Sequence, residues 1–257
     1  MKKIVTTTVM RMKIKKIESS TNPLYKKLLS LTKSKGVREE KLCLVSGEKI
    51  IAEQMSVNAP KDAFWIFHSE AHPLFEMQPD LQCVVLPKDL FRTLDVVGSE
   101  KPLACLPTPE IQKWKFETMP QTHELLCALG DPNNLGALLR SAKAFGIQNV
   151  ILLEESCHPF HPKAIKASSG ACFGLSYFKG PSIKHLGDVQ RLLALDLAAP
   201  SVRAADFSQP WRILLGEEGQ GVPPSLRCQK ISIPYPGNIE SLNATIAASI
   251  LFYEMSK

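Results

Sequence analysis

Three stretches of this 257-residue chain place reactive or ligand-binding residue types at spacings that would bring them together. In DPNNLGALLR, Asp131-Pro132-Asn133-Asn134 is turn chemistry, and Gly136 opens a helix with no side chain to crowd a ligand. Arg140 follows Asn134 by six residues, more than one helical turn. In LLGEEGQGVP, Gly216, Gly219 and Gly221 surround Glu217 and Glu218 after an apolar run, the pattern of a backbone that approaches a ligand closely. The spacing is GxxGxG, not the GxGxxG of dinucleotide-binding loops, and the loop runs into Pro223-Pro224 where a phosphate-binding helix would begin. A carboxylate there would repel pyrophosphate and suits a cationic or hydroxyl-bearing ligand. In ISIPYPGNIESLNATIAASI, Ser241 and Asn243 put a hydroxyl and an amide at a helix start, with Ser241 as the expected N-cap. Each feature also has a plain structural reading: a capped helix with an exposed Arg, a turn, a cap. Ala244, Ala247 and Ala248 give the last helix a small-residue face, which fits either a buried core or a dimer seam.

The elements around these loops alternate. HELLCALG, NVILLEE, RLLALDL, WRILLG and KISIPYPG read as strands, and DPNNLGALLRSAKAFG and SLNATIAASILFYEM as helices, the first with Leu135, Leu138, Leu139, Ala142 and Phe145 on its apolar face and Gly146 as its stop. Strands alternating with helices predict a parallel sheet whose loops gather at the carboxyl ends of the strands, where open α/β sheets bind ligands. Upstream, STNPLYKKLLSLTKSKG reads as one helix ending at Gly36, KLCLVSG as a strand and EKIIAEQM as a helix, with further strands in AFWIFHS and LQCVVLP. Four prolines between Ser99 and Pro120 mark a junction. The expected organisation is a basic segment 1–16, an α/β domain 17–98, a linker 99–120 and a second α/β domain 121–257.

Composition narrows the function classes. With 44% hydrophobic and 22% charged residues and no apolar run near the roughly 20 residues a spanning helix needs, the chain reads as globular and not as a membrane protein. The first twenty residues have neither a continuous apolar core nor a small-residue cleavage site, which argues against a secretory signal. Seven scattered cysteines, never in a CxxC pair, make neither a disulfide framework nor a zinc module, and they suggest a reducing compartment, the cytoplasm. His158 and His161 in HPFH have no further ligand nearby, so no metal is expected. Residues 1–60 hold thirteen Lys/Arg against five Asp/Glu, and the remainder holds 18 against 20. A basic front on a near-neutral body suggests a polyanion held by one end, or simply a solvated basic surface.

The ordered set DPNNLGALLRSAKAFG, LLGEEGQG and ISIPYPGNIESLNATIAAS strongly resembles the TrmH/SpoU family of RNA 2′-O-ribose methyltransferases. More loosely, STNPLYKKLLSLTKSKG…LVSGEKII is similar to that family's N-terminal substrate-binding domain. The resemblance implies a SPOUT fold: a parallel sheet with its C-terminal segment threaded into a deep trefoil knot, which pattern reading would never propose. It also implies S-adenosylmethionine as cofactor, a homodimer, and RNA as substrate, rRNA ahead of tRNA. By motif position Asn134, Arg140, Glu218, Ser241 and Asn243 match the family's catalytic-centre residues. Leu195, Gly216, Glu218, Gly221, Ile233, Leu242 and Asn243 match cofactor-binding positions. The family often has Met where Tyr235 stands, and FKGPSIKHLGDVQRLLALDL is short for the usual helix before its strand. The family proposal makes the Arg matching Arg140 a proton acceptor, but guanidinium groups normally stay protonated. The reading kept here has Arg140 bind an RNA phosphate and stabilise the developing alkoxide, with Asn134, Ser241 and Asn243 orienting the ribose and Glu218 serving Arg140 or the sulfonium side. A rival is a catalytically inactive RNA-binding or ribosome assembly factor on the same fold. A nicotinamide-dependent dehydrogenase fails on glycine spacing.

Overall fold

A computed structural model of the protein describes residues 14–57, 63–71, 82–115, 117–216 and 221–257. The chain divides into two compact units, Met1–Thr108 and Pro109–Lys257. The first opens with β1 (Ile14–Lys16), α1 (Pro23–Ser30) and α2 (Ser34–Glu40). It continues through β2 (Leu42–Ser46), α3 (Glu48–Val57), β3 (Phe64–Phe67), β4 (Gln82–Val85), α4 (Lys88–Leu94) and β5 (Leu103–Pro107). The strands form one mixed sheet in the order β1-β4-β3-β5-β2. Tyr25, Leu28, Leu31, Leu44, Ile66 and Phe91 are among the side chains of its core.

Several expectations change here. The stretch read as one helix is two, because the chain breaks after Ser30 and restarts at Ser34. Gly36 does not stop a helix; it lies buried inside α2, where a Cβ would collide with the Ser30 carbonyl. Residues 14–16 of the basic segment form an edge strand, Ile14 pairing in parallel with Cys83; residues 1–13 lie outside the described residues. The proline-rich stretch 99–120 is not a bare linker. It contributes β5 to the first sheet and β6 (Ile111–Lys113) to the second, and the units part between Thr108 and Pro109. Pro excludes itself from strand interiors, and here Pro102 and Pro107 bracket the proline-free run 103–106.

The second unit adds β7 (Glu124–Cys127), α5 (Pro132–Ala144), β8 (Asn149–Leu152), α6 (Pro162–Ala167) and β9 (Ser176–Lys179). It then runs through β10 (Leu192–Leu195), β11 (Arg212–Leu215), β12 (Gln229–Ile231) and α7 (Ala244–Met255). Its sheet has the order β12-β10-β11-β7-β8-β9-β6, and every pairing is parallel. Sheets of this kind are covered on both faces, which is why β7 and β11 read as continuous apolar runs. Between β9 and β10 the described chain has only a 3₁₀ turn, Ile183–His185.

Register at the amino ends of the strands is held by a buried charge. Arg212, 1% exposed, donates Nε to Glu124 Oε2 at 2.8 Å and Nη2 to the Thr118 carbonyl at 2.6 Å, and its guanidinium lies 5.3 Å from the Trp114 ring centre. Arg212 and Glu124 are register partners on β11 and β7, so the pair levels the two central strands.

The packing of α5 corrects another expectation. Gly136 is buried, and a Cβ there would collide with the Ala164 carbonyl and meet Ala167 Cβ at 2.7 Å. Its missing side chain makes room for α6, not for a ligand. Gly146 ends α5 at φ +81°, as expected. Among the described residues no helix is long and apolar enough to cross a membrane. Gly136→Ala is expected to overpack the α5–α6 contact and lower stability by about 1–3 kcal/mol, measured by urea unfolding; an unchanged midpoint would show that the contact gives way freely.

Candidate active site

The three sequence motifs emerge at the carboxyl ends of β7, β11 and β12. The first is set by Asp131, whose Oδ1 accepts from the backbone N–H groups of Asn133 and Asn134, both at 2.9 Å. This caps α5, with Pro132 at its first position. Asn134 sits in the first turn, and its carbonyl accepts from Thr245 Oγ1 at 3.2 Å. The first motif is thereby tied to the third. A second tie, Ser249 Oγ to Ser141 Oγ at 2.8 Å, holds α7 along α5.

The second motif leaves β11 at Gly216. A Cβ on Gly216 would collide with the Gly221 carbonyl, so the backbone at these two points is in contact. Gly221 has φ +67°, a conformation glycine adopts freely. Glu218 and Gly219 lie outside the described residues.

The third motif is anchored by backbone bonds to the chain after β10. Asp196 N–H donates to the Ile231 carbonyl at 2.9 Å, Ser232 N–H to Pro200 O at 2.7 Å, and Val202 N–H to Ser232 O at 2.7 Å. The helix cap is Asn243, not Ser241: Asn243 Oδ1 accepts from the N–H groups of Thr245 at 2.9 Å and Ile246 at 3.3 Å. The expectation placed the cap two residues early because SLN offers two good capping side chains in a row. With Oδ1 engaged, the amide nitrogen is the part of Asn243 left to serve a ligand.

Between the end of β10 and the second and third motifs lies a cleft of about 270 Å3. Leu195, Gly216, Gly221, Ile233, Ser241 and Leu242 line it, so six of the residues singled out in the sequence meet in one place. Leu214, Ala244 and Ala247 add apolar wall. Asn134 and Asn243 do not line the cleft but join through Thr245, beside Ala244. Arg140 does not line it either. It is exposed on α5, and its Nη1 donates to Ser169 Oγ at 3.1 Å.

Sequence reasoning passed over Asp196, Thr245 and Ser169. Asp196 follows β10, lines the cleft and bonds Lys230 Nζ at 2.8 Å, a contact that holds its carboxyl below the usual range. Its position directly after a parallel strand was a usable signal. Ser169, at φ +51°, lies in KASSGACFG, where the Ser/Gly cluster marks a turn. The HPFH histidines are local caps: His158 Nδ1 accepts from Phe160 N–H and His161 Nδ1 from Lys163 N–H, both at 3.2 Å. Among the described residues no three His, Cys, Asp or Glu side chains cluster as a metal site. Asn243→Ala is expected to lower stability by about 1 kcal/mol through loss of the cap, with Asn243→Asp restoring it; equal urea midpoints for all three proteins would contradict the capping role.

Known proteins resemble this chain in sequence and in fold. The profile of the SpoU rRNA Methylase family matches residues 123–253, just over half of the chain. The chain is 37% identical over 254 residues to the ribosomal RNA small subunit methyltransferase G 2 of Syntrophobacter fumaroxidans. That match covers 98% of this chain and 51% of the relative, so the chain spans about half of its length. It is 27% identical over 257 residues to the 23S rRNA (guanosine(2553)-2′-O)-methyltransferase of Bacillus subtilis, covering 94% of this chain and 99% of that one. In fold it matches the AdoMet-bound rRNA methyltransferase from Sinorhizobium meliloti with a TM-score of 0.72 at 22% identity, over 94% of this chain and 97% of the other. With the second and third motifs lining one cleft at the carboxyl edge of a parallel sheet, the first tied to them through Thr245, and the profile spanning all three, the chain belongs to the SpoU rRNA methylase family.

Proposed function

We propose that this chain transfers a methyl group from S-adenosylmethionine to a ribose 2′-hydroxyl in RNA, with rRNA as the substrate. The observation that carries the reading is the cleft, in which Leu195, Gly216, Gly221, Ile233 and Leu242 converge from three separate segments. Its lining fits the cofactor. Leu195, Leu214, Ile233 and Leu242 suit a purine face, and backbone at Gly216 and Gly221 offers hydrogen-bonding groups without side-chain obstruction. Preference for a ribosomal substrate and for the 2′-oxygen is supported by the activity for which the Bacillus subtilis relative is named.

The bound cofactor supplies a methyl group on a sulfonium, already joined to a good leaving group. The protein's task is then to align the ribose hydroxyl and dispose of its proton. Asn134, Ser241 and Asn243 orient the ribose and the loops around it. Arg140, steadied by Ser169, grips the adjacent RNA phosphate and stabilises the developing alkoxide. Guanidinium stays protonated near neutral pH, so the proton leaves to phosphate oxygen or water. Glu218 supplies a carboxylate to Arg140 or to the sulfonium side.

The first unit is read as the RNA substrate-binding domain. A homodimer is supported by α7, which is apolar on all sides yet leaves Ile246 55% and Tyr253 52% exposed in the single chain. The trefoil knot is supported by the path of the chain after β12, where Ile231 and Ser232 pair with residues 195–202 before α7 returns to α5. All seven cysteines are free thiols, which supports a cytoplasmic location.

The test is transfer from methyl-labelled S-adenosylmethionine to unmodified rRNA and, in parallel, tRNA, followed by nucleoside digestion. Label in a 2′-O-methylribose nucleoside from rRNA is the expected result. Label only in tRNA would move the substrate, and cofactor binding without transfer to RNA or ribosomal particles would favour the inactive binding factor. Arg140→Lys keeps charge but loses bidentate geometry, and should slow transfer about a hundredfold; near-normal turnover would remove Arg140 from the mechanism.

A further inference from the structure

The sequence places its basic excess at the amino end, with the rest of the chain near neutral. That balance conceals a second concentration of charge. Between residues 132 and 187 the only acids are Glu154 and Glu155, against Arg140, Lys143, Lys163, Lys166, Lys179 and Lys184. Glu155 is turned inward, accepting from Ser182 Oγ and, at 3.1 Å, from the Ile183 N–H.

The fold gathers three of these cations around one turn, residues 168–174. Arg140 bonds Ser169 Oγ. Lys143, one turn further along α5, lies with its ammonium over Gly174, where a Cβ would collide with Nζ. Lys166 lies in the last turn of α6, three residues before Ser169, whose N–H donates to its carbonyl at 3.0 Å. All three side chains are exposed, and among the described residues none forms an ion pair. The strip is bound to the cleft by α5 itself, which meets α6 through Gly136 on one side and α7, a wall of the cleft, through Ser141 and Asn134 on the other.

We infer that Lys143 and Lys166 extend Arg140 into a docking strip for the phosphate backbone of the substrate RNA on the second unit. The inference rests on the RNA methyltransferase reading above. A polyanion suits the site because like charges held close together without acids gain most from alternating phosphates, and release of counterions makes such contacts salt-dependent. Because these contacts reach only phosphates, the strip positions RNA and does not select its sequence.

The test is binding of unmodified rRNA transcribed in vitro to the full chain over a salt series, with S-adenosylmethionine affinity measured alongside. Lys143→Ala/Lys166→Ala should bind about tenfold more weakly near 0.1 M salt, with the slope of log affinity against log salt reduced by about 1.4. Cofactor affinity should be unchanged, and Lys143→Arg/Lys166→Arg should keep both the affinity and the slope. Wild-type affinity and slope in the double alanine variant would overturn the strip and leave the methyltransferase reading standing. A wild-type chain that binds neither cofactor nor RNA would overturn both.

Discussion

The site depends on a contact between two stretches of bare backbone. At the end of β11 the chain at Gly216 presses against the carbonyl of Gly221, where no side chain fits. This forces the second motif to fold back, so the cleft wall there is made of peptide groups. A wall of that kind offers donors and acceptors in fixed positions and excludes little volume, which suits a ligand recognised by shape and by a few polar edges.

At the other end of the sheet Arg212 and Glu124 do complementary work. Burying the guanidinium is tolerable only because carboxylate, carbonyl and aromatic partners surround it. Fixing Arg212 opposite Glu124 brings Leu215 opposite Cys127, so the loops that follow leave the sheet at one level. Beside α7 lies α5, joined to it by hydroxyl contacts and to α6 by the missing side chain of Gly136. One helix thus links the proposed cofactor wall to the cations that would hold the RNA.

Much of this was legible in the sequence, for particular reasons. The strands of the second unit are continuous apolar runs, which a parallel sheet requires, and α5 stops at Gly146 as expected, although it starts at Pro132, capped by Asp131, and not at Gly136. The residues of the cleft were named by matching their motif positions to those of a known family, since the local pattern alone reads them as turns, caps and strand ends. The errors arise where several structures satisfy the same local rule. Gly136 and Gly36 look like ligand space and a helix stop, but each answers a packing demand, from α6 some 28 residues further along the chain or from the preceding helix end at Ser30. Ser241 and Asn243 are both capping residues, and the path of the incoming chain decides between them. Prolines in 99–120 suggested a linker, although Pro102 and Pro107 stand at the two ends of β5, outside the strand interior. Summing charge by segment hid the strip beside Ser169, since acids elsewhere in the second unit cancel it on paper and not in space.

The most direct measurement of the central claim is calorimetric titration of S-adenosylmethionine into the wild-type chain and into Gly216→Ala, with far-UV circular dichroism confirming that both are folded. The account predicts saturable binding by the wild type and at least about tenfold weaker binding by the variant, since the added methyl must push Gly221 and its loop aside. Equal affinity in the two proteins, or no binding by the wild type, would contradict the assignment of this cleft to the cofactor.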